Sequence, residues 1–293
     1  MLIIDSRHAG TNLRFHTCDI DWRKTMNYAA AVQDDNPRYF DDERPGGVMA
    51  PPMFCVAVTW PILGNITDFI ESAEFPKELL LTQVHYTEHL RFYRLLRPGD
   101  RVTIRGRIAA ILPHRAGTHI VIRLDAFDAS GAAVFTEHTG ALLRGVTCGD
   151  EGEGRDLLPV TPRKEVPEKP VWEAAVDIDP FRPFVYDGCS DIVFPIHTSR
   201  NFARRVGLPG ILLQGTATMA YAAREIVDRE AAGDPERLRI LAGKFTGMVS
   251  PGTRIRIQVL ERRSTAVEME VFFQVMGADN RPAISRGYAL VSS

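Results

Sequence analysis

Hydrophobic and polar residues alternate along much of this chain. Arg254, Arg256 and Gln258 interleave with Ile255, Ile257 and Val259, and apolar residues recur at Val267, Met269, Val271 and Phe273. Period two with one apolar face predicts half-buried β-strands. The stretch from about Gly215 to Ala232 behaves differently: it is apolar nearly all round at first and turns charged only at Arg224-Glu225. That pattern predicts a helix buried on several sides. Asp128-Ala129-Ser130-Gly131 and Gly277-Ala278-Asp279-Asn280 have the composition of hairpin turns. Strands with one apolar face need a cover, and a buried helix supplies it. The expected class is α+β, an antiparallel sheet wrapped around a helix.

The pattern occurs twice. Asp34-Asp35-Asn36-Pro37-Arg38-Tyr39, Ala50-Pro51-Pro52-Met53-Phe54 and the apolar run Cys55 to Trp60 precede Arg97-Pro98-Gly99-Asp100-Arg101-Val102-Thr103-Ile104. Phe194-Pro195-Ile196-His197, Gly215 and the run Thr218 to Ala223 likewise precede Ser250-Pro251-Gly252-Thr253-Arg254-Ile255-Arg256-Ile257. Pro37 to Pro98 spans 98 − 37 = 61 positions and Pro195 to Pro251 spans 251 − 195 = 56. Shared order and similar spacing indicate a duplicated domain. Between the copies, residues 147–172 carry Gly149-Asp150-Glu151-Gly152-Glu153-Gly154 and then Pro159, Pro162, Pro167 and Pro170. Glycine, proline and charge build no core, so this stretch reads as a linker, extended where proline dominates. Residues 1–146 and 173–293 are the expected domains.

Composition narrows the function. With 293 residues, 45% of them hydrophobic, the chain can bury a substantial core. A net charge of −2 argues against a nucleic-acid footprint, which needs a basic face. Cys18, Cys55, Cys148 and Cys189 form no C-x-x-C pair, so reduced thiols are expected rather than zinc or dithiol chemistry. His85, His89, His114 and His119 have no ligand-like partners at short spacing, and no metal site is expected. The N-terminus Met1-Leu2-Ile3-Ile4-Asp5-Ser6-Arg7 has no long apolar core after a basic start, and no run reaches the roughly 18 apolar residues of a membrane span. A soluble cytoplasmic protein is the expectation.

Chemistry concentrates in Ser190-Asp191-Ile192-Val193-Phe194-Pro195-Ile196-His197 and, after a short basic segment, Leu213-Gln214-Gly215-Thr216-Ala217-Thr218. An acid and a histidine share a loop, and a glycine opens the apolar helix. Taken alone, His197 also fits a cap on the segment that follows, Asp191 a turn residue, and Gly215 a packing glycine. Arg200, Arg204 and Arg205 follow His197 closely. Arginine suits phosphate, although a solvated helix face explains any one of them as well. Lys244, in a strand-like position before Phe245, is a weaker cation of the same kind.

These motifs resemble the double hot-dog proteins of the MaoC-like dehydratase and (R)-specific enoyl-CoA hydratase family. The resemblance covers nearly the whole chain. Asp35-Asn36-Pro37-Arg38-Tyr39 and Ala50-Pro51-Pro52 resemble the N-terminal domain of such proteins. Asp191, Phe194-Pro195-Ile196-His197 and Gln214-Gly215 stand where the family has an acid, Asn-Pro-Ile/Leu-His and His-Gly. Three departures are visible. Phe194 replaces asparagine, Gln214 replaces histidine, and Asp191 lies six residues before His197 where five is commoner. A related branch with Asp-Ile-Trp-Asn-Pro-Ile-His shares the spacing of six.

The resemblance implies reversible hydration of an enoyl thioester to a 3-hydroxyacyl thioester. Asp191 and His197 would hold one water and share its protons, since histidine titrates near neutrality. The Gly215 N–H, at a helix start, would polarise the thioester oxygen. Phe194 and Gln214 would border the substrate, and Arg200, Arg204 and Lys244 would meet its phosphates. The first half, with Tyr39 where the second has His197, would do no chemistry and would open room for the acyl group along Met53, Phe54, Val56 and Trp60. No cofactor is implied. Coenzyme A, or the pantetheine of an acyl carrier, belongs to the substrate, and a homodimer or higher homo-oligomer is expected. Three rivals share the residues: a hot-dog thioesterase, a non-catalytic acyl-binding or partner subunit favoured by Phe194 and Gln214, and a dehydratase of a non-thioester natural-product intermediate.

Overall fold

A computed structural model describes residues 2–162, 164, 167 and 169–293, apart from the side chains of Leu81 and Thr82. Met1 of the N-terminal reading and Arg163, Glu165, Val166 and Glu168 of the expected linker lie outside the described residues. The chain runs β1 (Leu2–Ile4), β2 (Asn12–Asp19), α1 (Trp22–Ala31), α2 (Cys55–Leu63), α3 (Ile66–Phe69), β3 (Gln83–Phe92), β4 (Arg101–His114), β5 (Gly117–Asp128), β6 (Ala133–Arg144) and β7 (Val146–Cys148). It continues through β8 (Trp172–Asp177), α4 (Arg182–Ser190), α5 (Arg200–Arg205), α6 (Gly215–Glu230), β9 (Leu238–Phe245), β10 (Arg254–Ser264), β11 (Glu268–Met276) and β12 (Pro282–Ser292).

The main sheet has ten strands in the order β2-β4-β5-β6-β3-β9-β12-β11-β10-β8. Read inward from its two edges, the orders correspond strand for strand: β2 with β8, β4 with β10, β5 with β11, β6 with β12, and β3 with β9. This is the double hot-dog arrangement. The two sheets anticipated from the sequence meet edge to edge, because Thr87–Arg91 of β3 pair antiparallel with Lys244–Ile240 of β9. Both turns with hairpin composition connect neighbouring strands, β5 to β6 and β11 to β12.

The repeated Pro-Gly motifs perform one task. Gly99 (φ +88°) and Gly252 (φ +77°) take the left-handed conformation that glycine alone adopts freely. Their N–H groups donate to the carbonyls of Ile20 (2.9 Å) and Ile178 (2.8 Å), just after β2 and β8. Each motif thus aims the long strand that follows, β4 or β10, beside β2 or β8.

α6 packs on β9 and β12, and α2 borders the same interior beside β3 and β6. Along α6, Ala217 to Ala223, Ile226 and Val227 are all buried, which explains its nearly all-round apolar start. The charged Arg224 and Glu225 are themselves largely buried and paired with each other, and the Arg224 guanidinium donates to the carbonyls of Val32 and Gln33. β2–α1 and β8–α4 are additions to the one-helix-plus-strands expectation. Their helices read Trp-Arg-Lys-Thr-Met-Asn-Tyr and Arg-Pro-Phe-Val-Tyr-Asp-Gly, too polar for a clear apolar stripe. They pack through Tyr28 and Tyr186, fully buried, with hydroxyls 2.9 Å apart. One continuous apolar cluster spans both halves.

The start of the expected linker is tied down. β7 pairs in parallel with β1, and Glu153 and Ile111 exchange backbone hydrogen bonds of 3.0 and 3.1 Å. Val171 donates to Val259 at the far end (2.7 Å), just before β8. Among the described residues no helix is long and apolar enough to cross a membrane.

Candidate active site

A cavity of about 300 Å³ lies between the start of α6 and the first half's α2, β3 and β6. Phe194 and Met248 line it while remaining 44% and 60% exposed, so they mark its mouth. His197, Gly215 and Thr216 follow inside, and Trp60, Val56 and Ile122 form an apolar wall. The sequence thus brings His197, Gly215, Gln214, Phe194 and Trp60 to one space.

α6 begins at Gly215 because Gln214 leaves helical geometry (ψ 137°), and no side chain caps this end. The first N–H groups of a helix have no partner within it. Uncapped and facing a cavity, they present donors and the positive end of the helix dipole. Gly215 is small because Phe245 lies against it: a Cβ there would sit 3.2 Å from the ring. Gln214 is 1% exposed, and its amide donates to the carbonyl of Pro183 (3.0 Å).

His197 stands in the 3-10 turn Pro195–His197, with Nδ1 2.8 Å from the Leu212 carbonyl. A carbonyl only accepts, so Nδ1 carries the hydrogen and Nε2 keeps its lone pair. Burial lowers the imidazole pKa below its ordinary value, with the Leu212 bond opposing. At neutral pH His197 is therefore a neutral, oriented base.

Asp191 is elsewhere. It ends α4 in the left-handed conformation (φ +57°), its N–H donating to the Asp187 carbonyl, and its carboxylate accepts from Lys24 Nζ at 2.8 Å. Both side chains of that pair are more than half exposed. The residue that turns inward is Ile192, 4% exposed and lining the cavity. The structure therefore does not bring Asp191 into the cavity with His197. The left-handed turn sends the side chains at positions 191 and 192 to opposite sides.

The remaining candidates divide in the same way. Arg200 and Arg204 are exposed on α5, the short helix that follows His197 on the mouth side. Lys244 donates to the Tyr86 hydroxyl (3.2 Å) and lies over that ring, while its neighbour Phe245 lines the cavity. Alternation along β9 puts Lys244 on the other side of the sheet. Met53 is buried in the 3-10 turn Pro52–Phe54 and faces a second space of about 10 Å³ beside Tyr39. That turn points it between α1 and α6 rather than along the larger cavity.

The cavity also holds polar groups that strand periodicity concealed. His85 and Glu88 of β3 and Glu137 and Thr139 of β6 all line it. The ladder slips between His85 and Thr87. This bulge places His85 and Glu88 on one face, where strict alternation would separate them. His85 Nε2 lies 3.0 Å from Glu88 Oε2 and 3.2 Å from the Thr139 hydroxyl. Burial raises the Glu88 pKa to about 8 and lowers that of His85 to about 4. Burial, together with the neighbouring Glu88, holds the Glu137 pKa well above the carboxylate range. All three are uncharged near neutral pH. Among the described residues no cluster of histidine, cysteine or carboxylate side chains has the grouping of a metal site.

Comparison with known proteins agrees with this layout. The profile of the MaoC like domain matches residues 163–278, and that of the FAS1-like dehydratase domain region matches residues 7–137. The chain is 40% identical over 65 residues to the fatty acid synthase beta subunit pkiC of Emericella nidulans, a match spanning 22% of this chain and 4% of that protein. It is 28% identical over 95 residues to the peroxisomal enoyl-CoA hydratase 2 of Arabidopsis thaliana, spanning 32% of this chain and 29% of that one. In fold it is similar to the MaoC-like dehydratase of Phytophthora capsici, with a TM-score of 0.84 at 20% identity over 98% of this chain and 96% of that one.

Proposed function

The chain belongs to the MaoC-like family of hot-dog dehydratases, and from that premise we propose that it reversibly adds water to an enoyl thioester. One observation carries the reading: a neutral histidine with a free Nε2 and an uncapped helix N-terminus open onto the same cavity. The thioester oxygen sits at the Gly215 N–H, which stabilises the negative charge developing there as water adds. Such donors are typically worth about 3–4 kcal/mol of barrier. Nε2 of His197 takes a proton from water as its oxygen bonds to the β-carbon. The same proton passes to the α-carbon, so a single water balances the reaction. The coenzyme A or pantetheine arm, still bonded to the acyl group, extends out through the mouth at Phe194 and Met248, past the arginines of α5. The expected pairing of Asp191 with His197 requires that Asp191 first release Lys24. The first half serves as acyl receptor, with Trp60 and Val56 along its wall.

Wild type and His197→Ala would be incubated with 2-enoyl-CoAs of increasing length, following enoyl absorbance and free thiol together. Hydration without thiol release, reduced about 100-fold or more in the variant, supports the reading. Thiol release assigns the protein to the thioesterases instead. The outward Asp191 favours one second reading, an acyl-thioester-binding subunit. Binding without turnover across the panel would establish it.

A further inference from the structure

We infer that the acyl chain this cavity receives carries an oxygen function, a hydroxyl or carbonyl, well beyond its thioester end, bound by Glu88 and Glu137 where they line the cavity. The inference deepens the function proposed above and rests on it for the placement of the thioester. Of the residues lining the cavity, Phe194, Met248 and Val84 are open to solvent, whereas Glu88 is 2% exposed and Glu137 fully buried. Phe245 lies against Gly215, and His85 packs on Phe245 with ring centroids 4.3 Å apart and planes tilted by 50°. His85 in turn meets Glu88. A chain anchored at the Gly215 N–H therefore passes the Phe245 ring and the His85 imidazole before it reaches the two carboxyls.

An unsubstituted alkyl chain would leave those carboxyls unmatched. Glu88 Oε1 and both carboxyl oxygens of Glu137 are buried with no well-formed hydrogen bond, and the polar groups facing them are the Thr139 and Thr59 hydroxyls, among walls that include Val56, Trp60 and Ile122. Buried polar atoms are nearly always paired, and leaving one unpaired is costly. Kept protonated by burial, the two acids can both donate and accept, which suits a neutral hydroxyl or carbonyl and disfavours a carboxylate. A site built to hydrogen-bond an oxygen discriminates strongly against an analogue that lacks it.

The test uses the full chain and two readouts. Dissociation constants would be measured for saturated acyl-CoAs of one length, unsubstituted or with a hydroxyl moved stepwise along the chain, and hydration rates for the matching 2-enoyl-CoAs. One hydroxyl position is expected to bind about tenfold tighter or better than the unsubstituted chain. Glu137→Leu should abolish that preference and improve binding of the unsubstituted chain, while Glu137→Gln, which keeps a donor and an acceptor, should retain much of the preference even if the leucine variant folds poorly. Equal or weaker binding of every hydroxylated chain by wild type overturns the inference and leaves hydration standing. Binding preference without hydration of any substrate overturns the proposed reaction and leaves the chain recognition standing.

Discussion

The two halves carry the same loop in opposite conditions. In the first, Asp34, Asn36, Pro37 and Tyr39 occupy the positions that Ile192, Phe194, Pro195 and His197 hold in the second. Asn36 accepts from the Arg38 N–H (3.0 Å) and donates to the Gly233 carbonyl just beyond α6 (2.8 Å). Tyr39 is fully buried, and only about 10 Å³ remains beside it. Phe194 makes no such cap and stands at the mouth of about 300 Å³. The half with Asp34 and Asn36 at these positions has closed around them, and the half with Ile192 and Phe194 there has stayed open around its histidine. Polar groups close a loop when they find partners across it, and here the partner is the far end of the other half's helix.

This contrast can be broken at several points. The largest effect is expected at the two aligned rings: His197→Ala should lower kcat/KM by about 100-fold or more, whereas Tyr39→Phe should leave it within about twofold of wild type. Comparable losses at both would mean that the first half also meets substrate.

The next effect is one of pH. Burial, reinforced by Asp228, raises the Asp34 pKa to about 7 against the Asn36 N–H and Arg224. The folded state then holds a proton that the unfolded chain has already lost between about pH 4 and pH 7. Stability contributed by this group therefore falls as pH rises through that window, by at most about 1.4 kcal/mol per unit, and levels off above it. His197 acts in the opposite sense: its lowered pKa lets the unfolded chain bind more protons below about pH 6.5, so stability falls as pH drops. Urea midpoints should lose a decline with rising pH between about pH 4 and pH 7 in Asp34→Asn, and a decline with falling pH below about pH 6.5 in His197→Phe. An unchanged profile in both would remove the contrast.

Asn36→Leu should cost about 1–3 kcal/mol, since it strands the Gly233 carbonyl and the Arg38 N–H, and should spare activity. Equilibrium unfolding beside a hydration assay checks this, and a large loss of activity would tie the first loop to catalysis. The smallest effect is expected at Asp191→Asn, with about 0–1 kcal/mol for an exposed pair with Lys24 and little change in rate. A loss matching His197→Ala would show that Asp191 leaves Lys24 and works in the cavity.

The fold was largely legible because its punctuation is chemical. The paired Pro-Gly turns, the two hairpin turns and the all-apolar start of α6 each announce a local geometry that the structure contains. The site was legible where it depends on residue type: His197, Gly215, Phe194, Gln214 and Trp60 do share a cavity. It was hidden where direction depends on one backbone torsion or one slipped pair. The left-handed Asp191 turns its own side chain outward and Ile192 inward. The bulge after His85 brings Glu88 to the inner face. Neither event has a pattern of its own, since aspartate tolerates a left-handed conformation without requiring it and a bulge can fall at many residues. Glu137 sits in the polar stretch Thr136-Glu137-His138-Thr139, which offers no apolar face to mark it as interior, yet all four residues are buried.

The pairing of β3 with β9 makes the chain hard to divide. A gene cut within residues 149–171 would release two fragments, each presenting a long strand with its backbone donors and acceptors bare, the kind of edge that recruits other chains into aggregates. Each fragment would also uncover its share of an apolar cluster that runs through both. Duplication produced two copies of one architecture, but the seam between them has made them a single cooperative unit, expected to unfold in one transition and to be expressed whole or not at all.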